Sequence, residues 1–336
     1  MNENACPRRS AVSRRILFQV WVSTLIIAAG WLAAPAQAQI DPSILQQPWL
    51  AEPHWAQTYD DMLFTDQGHT KGANLDTSIF WWDSSGRIKL DRNNSTPNLV
   101  IGYKVLANAV TSDDPRLNGN LWDIGLVAGG PVGQLGDGWD VSVLGGVGTA
   151  NDGHWNSETL YGIGAVNVAH RIDANQTLHL GLDYNGNGLL YPDIPLPYLT
   201  YVHTVNDRLN YSIGAPRSAL HYRPFERVIL DLNYAYPINT TARAEFVLIE
   251  NVRLFIQYSR NTDATHLNGT EHERLFYHLE RALTGVRWIT KWFDASLGVG
   301  YMLDHGFRSG FDIRATDKVA NVSEEPFVSL IVQGTF

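Results

Sequence analysis

The chain has 336 residues, 44% hydrophobic and 18% charged, with a formal net charge of −9 and a single cysteine, Cys6. An acidic balance of this size disfavours nucleic acid and anionic membrane surfaces as partners. One thiol allows no disulfide framework and no thiolate metal site.

The first element is a targeting segment. Arg8, Arg9, Arg14 and Arg15 form a basic n-region, and Ile16 to Ala34 is an apolar run interrupted by Gln19, Ser23 and Thr24. Ala36-Gln37-Ala38 then supplies a small-residue cleavage pattern, so residues 1–38 read as a signal peptide and the mature chain is expected to begin at Gln39. The competing reading is an uncleaved anchor, because the run is almost long enough to span a bilayer. Cys6 precedes the apolar run, which argues against acylation at the cleavage site. Loss of four arginines and one glutamate with the signal takes the net charge from −9 to −12.

Residues 39–72 lack a sustained two-residue period. Pro42, Pro48 and Pro53 alternate with Trp49, Trp55 and Asp60-Asp61, and the stretch reads as an N-terminal periplasmic extension. From residue 73 to 336, strand follows strand between Gly, Asn, Asp and Pro punctuation. The clearest alternating segments include 74–82, 97–107, 119–129, 138–149, 157–170, 176–185, 226–236, 241–249, 252–260, 277–289, 291–303 and 326–336, with shorter candidates at 218–223 and 309–316. Many reach the ~9–11 residues that a tilted membrane strand needs. No later apolar run is long enough for a spanning helix, so membrane residence would require a closed barrel. The expected fold is all-β: a transmembrane antiparallel up-and-down β-barrel of about 12–14 strands, with 10 and 16 also allowed by the even-number rule.

The connections suggest two unlike rims. Glu250-Asn251 and Thr290-Lys291 read as tight periplasmic turns, and 261–275 and 304–324 as long external loops. Strand faces are clearer still. Leu230, Leu232 and Tyr234 oppose Asp231 and Asn233; Ala244 and Phe246 oppose Arg243 and Glu245; Leu254 and Ile256 oppose Arg253 and Gln257; Leu297 and Val299 oppose Asp294 and Ser296. A barrel that is apolar outside makes Asp231, Arg243, Glu245, Arg253 and Asp294 the lumen-facing candidates, joined by Arg281 and Arg287. Opposite charges on neighbouring strands would brace the lumen or set a transverse field across it. The same alternation would also suit a soluble barrel or sandwich with an apolar interior. Trp288 and Trp292 flank one turn and Tyr234 and Tyr236 end a strand, as in an interfacial aromatic girdle.

The last stretch alternates Val328, Leu330, Val332, Gly334 and Phe336 against Ser329, Gln333 and Thr335. Lipid cannot hydrogen-bond an open sheet edge, so this strand must pair with the first. Phe336 is the expected barrel-closure signal, read by the barrel-insertion machinery.

Pro195-Leu196-Pro197 leading to Tyr201, Gly214-Ala215-Pro216, Tyr222-Arg223-Pro224, Leu275-Phe276-Tyr277, Gly285-Val286-Arg287-Trp288 and Gly298-Val299-Gly300-Tyr301 with Phe307 and Gly310 carry a family resemblance. Over these positions, mainly in the C-terminal half, the chain resembles an uncharacterised family of bacterial outer-membrane β-barrel proteins. The resemblance implies the barrel and supplies no catalytic residues.

Chemical motifs are few. There is no Gly-x-Ser-x-Gly elbow and no His-Glu-x-x-His pair. Gly145-Gly146-Val147-Gly148 lacks a third glycine at nucleotide-loop spacing and suits close packing in a curved wall. Asp183-Tyr184-Asn185-Gly186-Asn187-Gly188 matches the opening of a calcium loop, but Ile194 stands where the twelfth-position Glu belongs. His266, His272, His278 and His305, with Asp263, Glu271 and Glu273, read as solvated polarity in the two long loops. No catalytic residue, cofactor or metal is therefore assigned. The reading is a non-enzymatic outer-membrane barrel: a passive channel, uptake barrel or structural envelope component. Its expected partners are outer-membrane lipid, the insertion machinery and a small solute as possible cargo. The alternatives are an outer-membrane lipid-modifying enzyme and a secreted soluble β-sandwich that binds glycans.

Overall fold

The computed structural model describes residues 55–90, 99–117, 119–136, 138–236, 239–267 and 273–336. Residues 1–38, read from the sequence as a signal peptide, and residues 39–54 lie outside the described residues. Seventeen strand segments follow one another: β1 (Ala56–His69), β2 (Asp76–Lys89), β3 (Val100–Ser112), β4 (Gly119–Gln134), β5 (Trp139–Asn151), β6 (Leu160–Arg171), β7 (Gln176–Asn185), β8 (Leu196–Asn206) and β9 (Leu209–Ala215). The second half holds β10 (Arg217–Phe225), β11 (Val228–Ala235), β12 (Asn239–Ile249), β13 (Val252–His266), β14 (Arg274–Ile289), β15 (Phe293–Gly310), β16 (Thr316–Val322) and β17 (Pro326–Thr335).

Each segment pairs antiparallel with its neighbour in sequence, apart from β16 and β17, and β1 closes the sheet by pairing with both β2 and β17. β17 lies against the first half of β15 and β16 against the second half, so together they fill one wall position. The result is a closed, sixteen-stranded antiparallel barrel, more than the 12 or 14 strands expected. Closure is tight at the seam: Phe336 N donates to Ala56 O at 2.9 Å and Ala56 N to Phe336 O at 3.0 Å.

Two sequence expectations are corrected here. The segment read as a periplasmic extension contains the first strand, so the barrel wall begins at Ala56 and not at residue 73. β1 shows no hydrophobic two-residue period in the sequence because its buried positions mix polar Gln57, Thr58, Asp61 and Thr65 with Ala56 and Leu63. The long loops are also shorter than expected, because β13, β14, β15 and β16 run into them and leave connections of 267–273 and 311–315. Asp263, His278 and His305 are therefore strand residues; His272 and Glu271 lie outside the described residues.

Elsewhere the period-2 pattern appears directly as burial. On β13, Ile256 is 62% exposed while its neighbour Gln257 is 4% exposed. Leu230, Leu232, Phe246, Leu254, Leu297 and Val299 are exposed on the outer face, whereas Glu245, Phe255, Ser296 and Ser329 are buried on the inner one. Trp288 and Trp292 on the rim near the C-terminus, and Tyr234 and Tyr236 on the opposite rim, are exposed. A closed sheet with an apolar outer belt leaves no unpaired edge for lipid to meet.

The barrel is uneven in height and in filling. β14 and β15 have 16 and 18 residues, but β9, β10 and β11 have only 7, 9 and 8. On the tall side the interior is packed by Leu63, Ile79, Trp81, Leu106, Leu279, Met302, Phe307 and Phe327, contributed by β1–β3, β14, β15 and β17. At the far rim His266 of β13 bridges to Asn151 of β5, which pinches the mouth between two strands that are not wall neighbours. Gly148 permits another inward feature. A Cβ there would stand 2.2 Å from the Tyr161 ring, so only glycine lets that ring lie on the wall with its hydroxyl on Asp123.

Candidate functional site

The inner face carries charge at two levels. The lower level lies towards the rim that holds the C-terminus and centres on Glu245 of β12. Its carboxylate is fully buried and meets three guanidinium groups: Arg243 Nε at 2.8 Å, Arg253 Nη1 at 2.8 Å and Arg287 Nη1 at 2.7 Å. Arg287 also pairs with Asp294 and reaches Gln333 Oε1 at 3.4 Å. Arg243 donates to Ser296 Oγ at 3.1 Å and lies 4.1 Å from the centroid of the Phe255 ring. These contacts tie β12, β13, β14, β15 and β17 together across the interior. Register explains them: Glu245 faces Phe255, Val247 faces Arg253, and Arg253 faces Arg287, so the inward positions of three strands converge. Three arginines against two carboxylates leave this level one positive charge in excess.

Of the five sequence candidates, Arg243, Glu245, Arg253 and Asp294 belong to this one cluster. Asp231 stands beside it. It is the cross-strand partner of Arg243, but its carboxylate meets His221 Nδ1 at 2.6 Å. Arg287, noted among the alternating charges, is the residue that joins Glu245 to Asp294.

The second level lies nearer the far rim, and most of it escaped sequence reasoning. Arg281 forms a buried pair with Asp61 and donates to Ser259 Oγ at 2.9 Å. Lys104 faces Asp123 at 3.5 Å, and Trp81 Nε1 donates to Asp263 Oδ2 at 3.1 Å. Asp83 is buried in the same group, and its Oδ1 accepts no hydrogen bond. Four carboxylates (Asp61, Asp83, Asp123, Asp263) against Lys104 and Arg281 leave this level two negative charges in excess. Asp61 fell in the segment read as an extension and Asp263 in one read as a loop, so neither could be placed opposite its partner.

A cavity opens between the levels. It is lined by Tyr59, Asp61, Trp81 and Asp83 on β1 and β2, by Asn233 and Thr241 on β11 and β12, and by Gln257, Asn261 and Arg281 on β13 and β14. Around it, the inner face of β8, β9, β11 and β12 includes the small polar side chains Thr200, Ser212, Asp231, Asn233 and Thr241, all half-buried. This side of the interior is more accessible to solvent than the packed tall side.

Above the cavity, residues 186–195, which connect β7 to β8, form a strap across the mouth. Arg274 Nη1 donates to Gly188 O at 2.9 Å, and its Nη2 donates to Phe311 O at 2.6 Å. Asn187 Nδ2 donates to Ala264 O at 2.9 Å, and Ile313 N to Leu189 O at 3.1 Å. Leu189 packs with Ala264 and Phe276, while the Arg314 guanidinium lies 3.7 Å from the Tyr191 ring centroid. The Asn/Gly run at 185–188 thus anchors the start of the strap. Two Asp-x-Arg turns border the far rim: Asp312 with Arg314, and Asp114 with Arg116. In each the side-chain hydrogen bonds from the arginine hold the aspartate carboxyl below the ordinary aspartate range.

A closed antiparallel barrel with an apolar outer belt and a charged interior defines the class: a bacterial outer-membrane β-barrel. Several solved structures are similar to this chain. A Pseudomonas aeruginosa FadL homologue is 12% identical, over 92% of this chain and 98% of that one, with a TM-score of 0.37. An outer-membrane channel from Pseudomonas putida F1 is 10% identical over 89% and 100%, with a TM-score of 0.34. The P. putida toluene transporter TodX is 9% identical over 88% and 94%, with a TM-score of 0.32. No family model matches the sequence, and no curated protein does.

Proposed function

We propose that the protein is a non-enzymatic passive channel or uptake barrel for small solutes, with the strap 186–195 restricting its outer mouth. The observation that carries this reading is the solvent-accessible side of the interior, where a cavity reaches from half-buried polar positions on β11 and β12 across to β1 and β2. A purely structural barrel has no need of such a lining and can pack its interior throughout, as the tall side does. The lower charged cluster is proposed to line the lumen, bracing the wall while presenting a net positive face to anything that passes. The resemblance to an outer-membrane barrel family supports the location, and outer-membrane lipid and the insertion machinery are the partners this location requires.

The test is conductance of the purified mature barrel in planar bilayers. Discrete, salt-dependent steps are expected, and they should grow when the strap is freed from Arg274. A folded, heat-modifiable barrel that gives no conductance with or without the strap anchor would leave only the structural role.

A further inference from the structure

The upper level holds a charge imbalance that its own residues do not resolve. Arg281 is engaged by Asp61 and Ser259, and Lys104 by Asp123. Among the described residues Asp83 makes no ion pair, although it is only 4% exposed. Its Oδ1 is buried without a hydrogen-bond partner, as are Asp263 Oδ1 and both amide atoms of Asn108, which stands opposite Trp81 in register. Burying a carboxylate without a partner is costly, and native interiors supply a counter-charge, a proton or a donor.

Asp83 lines the cavity, so a donor could arrive there from the lumen. Apart from Arg281, whose charge is met by Asp61, the remaining lining suits a small cation with N–H groups. Asn233, Asn261, Gln257 and Thr241 offer acceptor oxygens, and Tyr59 and Trp81 offer ring surface. The Trp81 ring already has one guanidinium, that of Arg281, 5.0 Å from its centroid. The cavity measures about 40 Å³, and one water needs ~10–15 Å³ on this scale. That is room for a head group and not for a bulky ligand. No group of three or more His, Cys, Asp or Glu able to hold a metal occurs among the described residues, which points away from a divalent ion.

We propose that this cavity is a subsite for a primary ammonium group, held by a charge-assisted hydrogen bond to Asp83 with Asp263 as the second negative charge behind Trp81. The proposal deepens the channel reading, since it names an amine-bearing solute as one that enters the lumen.

The test uses the full mature barrel folded in detergent, with n-butylammonium chloride as the probe, followed by calorimetry and by the ligand-induced rise in unfolding temperature. Saturable binding is expected, weakened at least tenfold in Asp83→Asn and unchanged in Asp317→Asn, where the residue is exposed on β16. Tetramethylammonium, which has the charge but no N–H donor, should bind at least tenfold more weakly. Asn261→Ala, which removes only a neutral lining group, should weaken binding severalfold and serves if Asp83→Asn does not fold. Equal affinity in Asp83→Asn or in Asn261→Ala would overturn the subsite. So would equal binding of tetramethylammonium, or no saturable binding at all, which would mean that Asp83 is simply protonated. Binding needs no conduction: a barrel that conducts without binding the amine loses only the subsite, and one that binds without conducting loses only the channel reading.

Discussion

Arg274 on β14 and Gly188 in the β7–β8 connection are 86 positions apart in sequence, yet the guanidinium Nη1 lies 2.9 Å from the glycine carbonyl oxygen. Together with the Asn187–Ala264 and Ile313–Leu189 hydrogen bonds, this bond holds a loop from one wall of the barrel against the opposite wall. Arg274 is buried and spends its other donors on Phe311 O, so it fixes two rim connections at once.

Arg274→Ala should therefore loosen the strap, which keeps its Asn187 and Leu189 anchors, while leaving the wall intact. Hydrogen bonds from a charged group contribute about 1.5–3 kcal/mol each, so a lower unfolding temperature is expected together with larger or noisier conductance steps. Single-channel recording of the variant beside wild type measures both amplitude and gating. Identical traces would mean that the strap does not limit passage.

Glu245 is the other point of concentrated charge. Glu245→Ala leaves Arg243, Arg253 and Arg287 facing one another without their shared carboxylate. Removing one partner from a buried ionic cluster costs about 3–5 kcal/mol, so the variant should unfold at lower temperature on a detergent gel. If it still assembles, its lumen should favour anions more than wild type does, which reversal potentials in a salt gradient would show. On the outer face the opposite substitution is the damaging one. Ala244→Arg places charge on the exposed side of β12, where mid-depth arginine costs roughly 2–4 kcal/mol, and the yield of inserted protein should fall.

Acid should loosen the rim. The Asp312 carboxyl is held below its ordinary value by Arg314, whose guanidinium also lies on Tyr191 of the strap. A depressed carboxyl stabilises the folded turn above its unfolded pKa of about 3.9. That contribution is lost as pH falls through the lower, folded value. Conductance should accordingly rise on acidifying the strap side below about pH 4, and Asp312→Asn should remove that dependence. An unchanged acid response in the variant would place the titrating group elsewhere.

The seam gives a fourth expectation. Deleting Phe336 removes the backbone pair that joins it to Ala56, at the point where β17 meets β1. Export should persist while inserted barrel declines, with degraded or aggregated material in the periplasmic fraction. Normal insertion after the deletion would show that closure does not depend on the last residue.

What the sequence made legible follows the physics of one-sided burial. β11, β12 and most of β13 alternate because one face meets the interior and the other is exposed, so Asp231, Arg243, Glu245 and Arg253 could be assigned to a common face from spacing alone. β1 could not be read this way. Its buried positions mix polar Gln57, Thr58, Asp61 and Thr65 with Ala56 and Leu63, and on β2 Trp81, Trp82, Asp83 and Ser84 are buried in succession, so neither strand shows a hydrophobic period. The far ends of β13 and β14 fail for the same reason, since Asp263, Ala264 and Thr265 are buried in succession, as are Leu275, Phe276 and Tyr277. The pairing of Asp61 with Arg281 spans 220 positions and leaves no local trace. The strap is equally silent, because its anchors lie on strands far along the chain.

A spin label on two adjacent residues of β13 distinguishes a closed barrel with lipid outside and a polar interior from its inverse. Labels at Ile256 and at Gln257 would be compared for collision with oxygen, which partitions into lipid, and with a water-soluble nickel chelate. High oxygen access is expected at Ile256, which is 62% exposed on the outer belt, and low oxygen access at Gln257, which is 4% exposed on the inner face. Strong oxygen access at Gln257 with chelate access at Ile256 would turn the wall inside out and contradict the outer-membrane barrel.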